Sequence, residues 1–197
     1  MIAAAALMTA AGANAAVILS SNFDGTNVNG NNPNPDYHIY SPSVEGWTSN
    51  TNGIELQSNN VAGKAFSGAN LVELDTTVNS SMFVTLTPGR YNVSYYYSPR
   101  PGVAADSNGI TLSLGETLLD SITGQGAGGT VWQRRTVAFN GGGNLTFAAI
   151  GSSDGVGGYI DSVKISTVPE ASTWVMLVAG FGLVGVSMRR RKAAVAA

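Results

Sequence analysis

Between positions 17 and 168, apolar and polar residues alternate in short runs. Gly, Asn, Pro and Ser interrupt these runs roughly every 8–12 residues. A period of two sends successive side chains to opposite faces of a sheet, so each run reads as a half-buried strand. Short strands are predicted at 53–56 and 70–74. The run 81–87 is followed by Pro88-Gly89, a turn dipeptide, so 90–97 becomes the second arm of a hairpin. In that arm Tyr91, Val93, Tyr95 and Tyr97 share one face. Further strands are predicted at 110–114, 117–122, 131–139, 145–150 and 159–165, with loops at 27–34, 124–129 and 141–143. No stretch holds the three- and four-residue apolar spacing of an amphipathic helix for a useful length. The predicted fold is all-β: a single jelly-roll β-sandwich.

Two stretches break the alternation. Residues 1–16 are almost all small and apolar and close on Ala13-Asn14-Ala15, the A-x-A form of a signal-peptide cleavage site. A signal peptide is therefore predicted for 1–16, ahead of a sandwich domain at 17–167. No Lys or Arg precedes the apolar run, as expected if the start codon lies upstream of Met1. The alternative, a buried N-terminal helix, suits an Ala-rich run without a polar face poorly. At the other end, residues 171–188 carry no charge. As a helix they would extend roughly 27 Å, close to the thickness of a bilayer core. Arg189, Arg190, Arg191 and Lys192 follow directly, and four cations hold that end in the cytoplasm by the positive-inside rule. The expected topology has the domain outside, one transmembrane helix, and a short tail at 193–197 inside.

Val168-Pro169-Glu170-Ala171-Ser172-Thr173-Trp174 leads into this apolar, Gly-bearing span. Residues 168–192 resemble the PEP-CTERM sorting signals of Gram-negative bacteria, which join a Pro-Glu-Pro motif, a nearby Trp, a transmembrane helix and a basic end. Pro169, Glu170 and Trp174 match; Ala171 stands where the family usually carries its second Pro. The resemblance implies export and cleavage near Pro169-Glu170 by an exosortase-type enzyme. The domain would then leave its membrane anchor for the cell surface, outer envelope or extracellular matrix.

Composition narrows the partners. The 197 residues include no Cys and one His, so disulfides, thiolate zinc sites and multi-His centres are excluded. Segment 17–167 keeps 11 acidic and 6 basic residues, a net charge of −5, which leaves no basic excess for nucleic acid. Ser21-Asn22-Phe23-Asp24-Gly25, Glu45-Gly46-Trp47, Asn70-Leu71-Val72-Glu73-Leu74-Asp75, Ser98-Pro99-Arg100-Pro101-Gly102 and Gly158-Tyr159-Ile160-Asp161-Ser162-Val163 recur in a familiar order. Together they resemble the galactose-binding-like jelly rolls of exported bacterial proteins and plant cell-wall proteins. That resemblance implies the architecture of a carbohydrate-binding module.

Asp161 alternates onto the face of Tyr159, Val163 and Ile165, the predicted core face of the last strand. An ionised carboxylate there needs backbone N–H groups, an Arg or a cation. In the jelly rolls the sequence resembles, a structural calcium often joins the first and last strands, which makes Asp24 the implied second ligand of Asp161; the alternative is that Asp161 caps loop amides. Arg100 is held stiff between two prolines. It is expected to bond sugar hydroxyls, pair with Asp106, or lie on Tyr97. Tyr37, His38 and Tyr40, in a loop-like stretch, are the candidate sugar-binding platform; Trp132 is a further aromatic, and Trp47 reads as core. Glu73 and Asp75 form the densest carboxylate pair, the only one a glycan hydrolase would have, although acids on a strand surface usually face solvent. The expected function is weak polysaccharide binding by an exported, non-enzymatic surface or matrix protein. A structural matrix protein without a ligand is the second reading, a carboxylate-dependent glycan hydrolase the third.

Overall fold

The computed structural model describes residues 15–28, 36–169 and 178–185. The chain divides into a unit spanning Val17–Thr167 and a second one made from the two termini. In the terminal unit, residues 178–185 are helical. Among the described residues, no helix is long and apolar enough to cross a membrane. The signal-peptide prediction, Glu170, Trp174 and the cluster Arg189, Arg190, Arg191 and Lys192 lie outside the described residues, as does most of the Asn-rich loop at 27–34.

Among its described residues, the Val17–Thr167 unit holds eleven strands: β1 (Val17–Ser21), β2 (Tyr37–Tyr40), β3 (Ser43–Val44), β4 (Trp47–Ser49), β5 (Ile54–Ser58), β6 (Asn70–Glu73), β7 (Ser81–Ser98), β8 (Gly109–Leu114), β9 (Thr117–Ile122), β10 (Gln133–Ile150) and β11 (Tyr159–Thr167). Every pairing is antiparallel. One continuous sheet runs β2-β5-β6-β11-β7-β10-β8-β9, with β1 on β11 and the β3–β4 hairpin on β7. It curls on itself into a jelly-roll sandwich.

The curl is made by β7 and β10, and here the structure corrects the sequence reading. Pro88-Gly89 is not a hairpin turn, and Gly141–Gly143 is not a loop. β7 runs through the first and β10 through the second, the two strands pairing from Gln133↔Tyr97 to Ala148↔Ser81. Between Gly141↔Gly89 and Gly143↔Leu86, β7 carries two residues opposite one on β10. That is a β-bulge, which bends the ladder and increases its twist. Both strands bend together there, so their halves belong to different layers. One layer is β2-β5-β6-β11 with the C-terminal half of β7 and the N-terminal half of β10. The other is β4 with the N-terminal half of β7, the C-terminal half of β10, β8 and β9. Tyr95 of the first layer meets Phe147 of the second edge to face, with ring centroids 4.8 Å apart.

The core between the layers follows the period of two. Tyr91, Val93, Tyr95 and Tyr97 all point into it, as the alternation predicts, together with Ile54, Leu56, Val72, Leu112, Phe147 and the fully buried Trp47. β11 needs a second bulge to join. Between Asp161↔Tyr96 and Lys164↔Ser94 it inserts one extra residue, and Ser162 takes φ 50°. The insertion reverses which face each residue addresses. Ile160, Val163 and Ile165 therefore enter the core, whereas Tyr159 and Asp161 turn to the outer face of the first layer. The expectation that Asp161 shares a face with Val163 and Ile165 is thus corrected.

Candidate functional site

The outer face of the first layer is where most of the sequence-selected residues lie, and it has two halves. Over β5, β6 and the start of β11, loops cover it completely. Glu55 and Glu73 lie directly opposite each other in the β5–β6 ladder, with Tyr159 beside Glu73 on β11. All three are buried. The Gln57 amide donates to Glu55 Oε1 (2.8 Å) and to Glu73 Oε2, and its carbonyl accepts the Tyr159 hydroxyl (2.9 Å). Arg100 closes the cluster, its Nη1 2.5 Å from Glu73 Oε2 and its guanidinium 6.0 Å from the centre of the Tyr159 ring. Burial pushes Glu55 up to about 7 and Glu73 up to about 8, although Arg100 opposes both shifts.

This half corrects three expectations. Arg100 pairs with Glu73 rather than Asp106 and lies on Tyr159 rather than Tyr97. Glu73 and Asp75 do not face solvent: both are fully buried. They anchor one loop from below, Glu73 Oε1 accepting the N–H of Gly157 and Asp75 Oδ2 those of Asp154 and Gly155. Nor are Tyr37, His38 and Tyr40 in a loop. They form the edge strand β2, whose register sets Tyr37 beside Gln57 and His38 beside Leu56. Alternation puts Tyr37 on the outer face and sends His38 and Tyr40 to the other side, where their rings meet edge to face at 4.4 Å. The three do not form one platform.

Asp24 and Asp161 do converge, on the segment that follows β5. Asp24 Oδ1 accepts the N–H groups of Ala69 and Asn70, and its Oδ2 accepts the Asn22 amide. Asp161 Oδ2 accepts the N–H of Ser67, and its Oδ1 that of Ser162. Burial pushes Asp161 up to about 6, against these hydrogen bonds. A calcium cage would offer the ion lone pairs from carboxylates and carbonyls. Here N–H donors face both carboxylates, a donor set that fits amide clamping and does not fit calcium.

The clamp holds Phe66 over the second, open half of the face. Phe66 stacks on Tyr96 of β7, with centroids 3.5 Å apart and planes 14° apart, and meets Trp132 edge on at 6.3 Å. Trp132 is itself fixed by its indole N–H, which donates to the carbonyl of Lys64 (2.9 Å). Although stacked, Phe66 remains 43% exposed. Tyr96 also forms one wall of an open groove of about 430 Å³ lined by Ser20, Asn22, Ser94, Arg134, Ser162 and Lys164. The ladder explains the lining. Lys164 sits between Ser20 of β1 and Ser94 of β7, and Arg134 of β10 sits beside Tyr96. Of the aromatics here, the sequence pointed only to Trp132. Phe66 reaches Tyr96 through contacts 30 residues away along the chain, which no local pattern carries.

Residues 167–192 match the PEP-CTERM protein-sorting motif. This sorting motif begins at the last residue of β11, and Pro169-Glu170 follows within three residues. It marks the chain as an exported, exosortase-sorted protein. No curated protein matches the chain. Among solved structures it is similar to the K2 cleaved adhesin domain of Lys-gingipain, at 20% identity and a TM-score of 0.51, over 66% of this chain and 93% of that one. The K1 cleaved adhesin domain of Lys-gingipain from Porphyromonas gingivalis W83 gives 14% identity and a TM-score of 0.52, over 68% and 98%. The CBM22-1 xylan-binding domain of Paenibacillus barcinonensis Xyn10C gives 16% identity and a TM-score of 0.43, over 68% and 94%. The two adhesin domains, at TM-scores above 0.5, share the fold of the Val17–Thr167 unit. The sorting motif starts where that fold ends.

Proposed function

We propose that this protein is exported, cut from its membrane anchor beside Pro169-Glu170 by an exosortase, and binds polysaccharide at the cell surface or in the matrix. The binding site in this reading is the open half of the outer face. The observation that carries it is the Phe66–Tyr96 stack with Trp132 at the edge of a groove lined by hydroxyl, amide and cationic side chains. A sugar ring presents an apolar C–H face and a rim of hydroxyls. It therefore needs an aromatic surface next to polar hydrogen-bonding groups, and the groove offers both.

The test is affinity electrophoresis of the Val17–Thr167 unit in gels containing plant and bacterial polysaccharides. Among the described residues, the core of this unit runs from Phe23 to Ile165 with Leu19 packed against it, all within the unit, so it carries its own packing. Retardation by at least one polysaccharide, reduced by Phe66→Ala and by Trp132→Ala, is the expected result. Retardation that both variants leave unchanged would move the site elsewhere. Unhindered migration in every gel would favour a matrix protein without a ligand.

A further inference from the structure

We propose that the groove selects acidic polysaccharide, with Arg134 and Lys164 receiving the carboxylates of uronic acid residues. This rests on the glycan-binding reading above and adds the chemistry of the ligand. The domain is acidic as a whole, yet this face is not. By the register of the ladder, the outward positions on β11, β7 and β10 include Lys164, Arg90 and Arg134, half of the six basic residues in the domain. Arg90 is spoken for by Asn140, to whose side-chain oxygen its Nε donates at 3.1 Å. Arg134 and Lys164 are exposed, and neither has an ion-pair partner among the described residues.

The acids nearby are already engaged. Asp161 is buried beneath Ser162 and holds backbone amides, and Asp24, beyond the end of β1, holds those of Ala69 and Asn70. Two unpaired cations therefore stand on a face where the exposed Asp24 already accepts amide N–H groups and Glu45 the Ser21 hydroxyl, in a domain whose net charge of −5 would otherwise repel a polyanion. They come from strands separated by β7 and are offset by two residues along it, which spaces them by roughly 12 Å. Ser20 and Ser94 flank Lys164, and Tyr96 flanks Arg134, so each cation has a hydroxyl-bearing or aromatic neighbour with which to seat the sugar that carries the charge. Arg134 can hold a carboxylate through two parallel N–H donors; Lys164 offers a point charge.

The experiment measures binding of the Val17–Thr167 unit to polygalacturonate, to the same polymer after methyl esterification, and to poly-glutamate. Esterification removes the charge while keeping the sugar. The expected result is affinity for polygalacturonate about tenfold above the esterified polymer and above poly-glutamate, falling as salt is raised. Arg134→Gln with Lys164→Gln should abolish that preference while leaving the unfolding midpoint unchanged. Equal affinity for the esterified polymer would overturn the acidic preference and leave glycan binding intact. Equal affinity for poly-glutamate would show a charge sink without sugar recognition and overturn it too. A preference for polygalacturonate that survives the double variant would place the recognition elsewhere. If none of these polymers is bound but a neutral polysaccharide is, only the acidic preference fails. If no polysaccharide of any kind is bound, the reading beneath it fails as well.

Discussion

Glu55 and Glu73 face each other from adjacent strands, in a site with one guanidinium for two carboxyls. Burial holds both pKa values above the ordinary 4.5, at about 7 and about 8. Between those limits the folded state binds more protons than the unfolded one, so stability must fall as pH rises. The stabilising contribution is complete below about pH 4.5 and is lost as pH passes through 7 and 8. Asp161, raised to about 6, adds a loss in the same direction at lower pH. Asp120 opposes it: burial pushes it up, but hydrogen bonds from Arg135 and Tyr95 outweigh that and leave it below its ordinary value. Its contribution is lost only on acidification. Urea midpoints measured from pH 5 to 8 are expected to decline, and Glu55→Gln, which removes one titrating group while keeping its shape, is expected to flatten the decline. An unchanged slope in that variant would remove Glu55 as a cause. The same cluster defines Arg100. Arg100 is the group that opposes the upward shift of Glu73, so Arg100→Ala is expected to keep Glu73 protonated to higher pH and to extend the decline of the urea midpoint beyond pH 8. For Asp24 and Asp161, the amide donors on their oxygens lead to a third expectation: chelator leaves the melting temperature where it was.

At the scale of the strand, the two bulges decide what the sequence could disclose. The faces of β7 were legible because Tyr91, Val93, Tyr95 and Tyr97 keep strict alternation, and the core uses all four. The span of β7 was not, because Pro88-Gly89 carries the local chemistry of a turn, while pairing with β10 on both sides of it keeps the chain extended. Alternation in β11 misplaced Asp161 for a related reason: one inserted residue swaps the faces, and a count of two cannot see an insertion. β2 was hidden by the Asn- and Pro-rich stretch before it. The open site was the least legible part, since Phe66 lies in no strand and is set by the distant carboxylates of Asp24 and Asp161. The bulge on β7 also makes a requirement of its partner. A Cβ on Gly142 would stand 2.6 Å from the backbone nitrogen of Pro88, and neither side has a flexible atom to move away. Glycine is needed here for close approach of two backbones. Gly142→Ala is expected to lower stability by about 2 kcal/mol, and Gly128→Ala, where a Cβ meets nothing, serves as the control. Equal midpoints for the two variants would mean the bulge relaxes freely.

At the scale of the whole molecule, the boundary between fold and sorting motif carries the last consequence. β11 is clamped by β1 and β7 along Lys164–Ser166, and Thr167 still pairs with Tyr91. A cut on the N-terminal side of Thr167 would open the sheet, whereas, among the described residues, a cut beside Pro169-Glu170 removes nothing that the ladder or the core uses. The fold thus tolerates processing at the motif and resists it a few residues earlier. In a host with an exosortase, the native chain is expected in the soluble or extracellular fraction as a product ending near residue 169. Pro169→Ala with Glu170→Ala should leave the full-length chain in the membrane fraction, held by the apolar span and its basic end. Urea unfolding of the Val17–Thr167 unit has no reason to respond, since neither residue lies within it. Mass spectrometry of the released product tests the position directly. Release of the double variant at the native rate, or a native product ending within β11, would separate the sorting motif from the processing assigned to it.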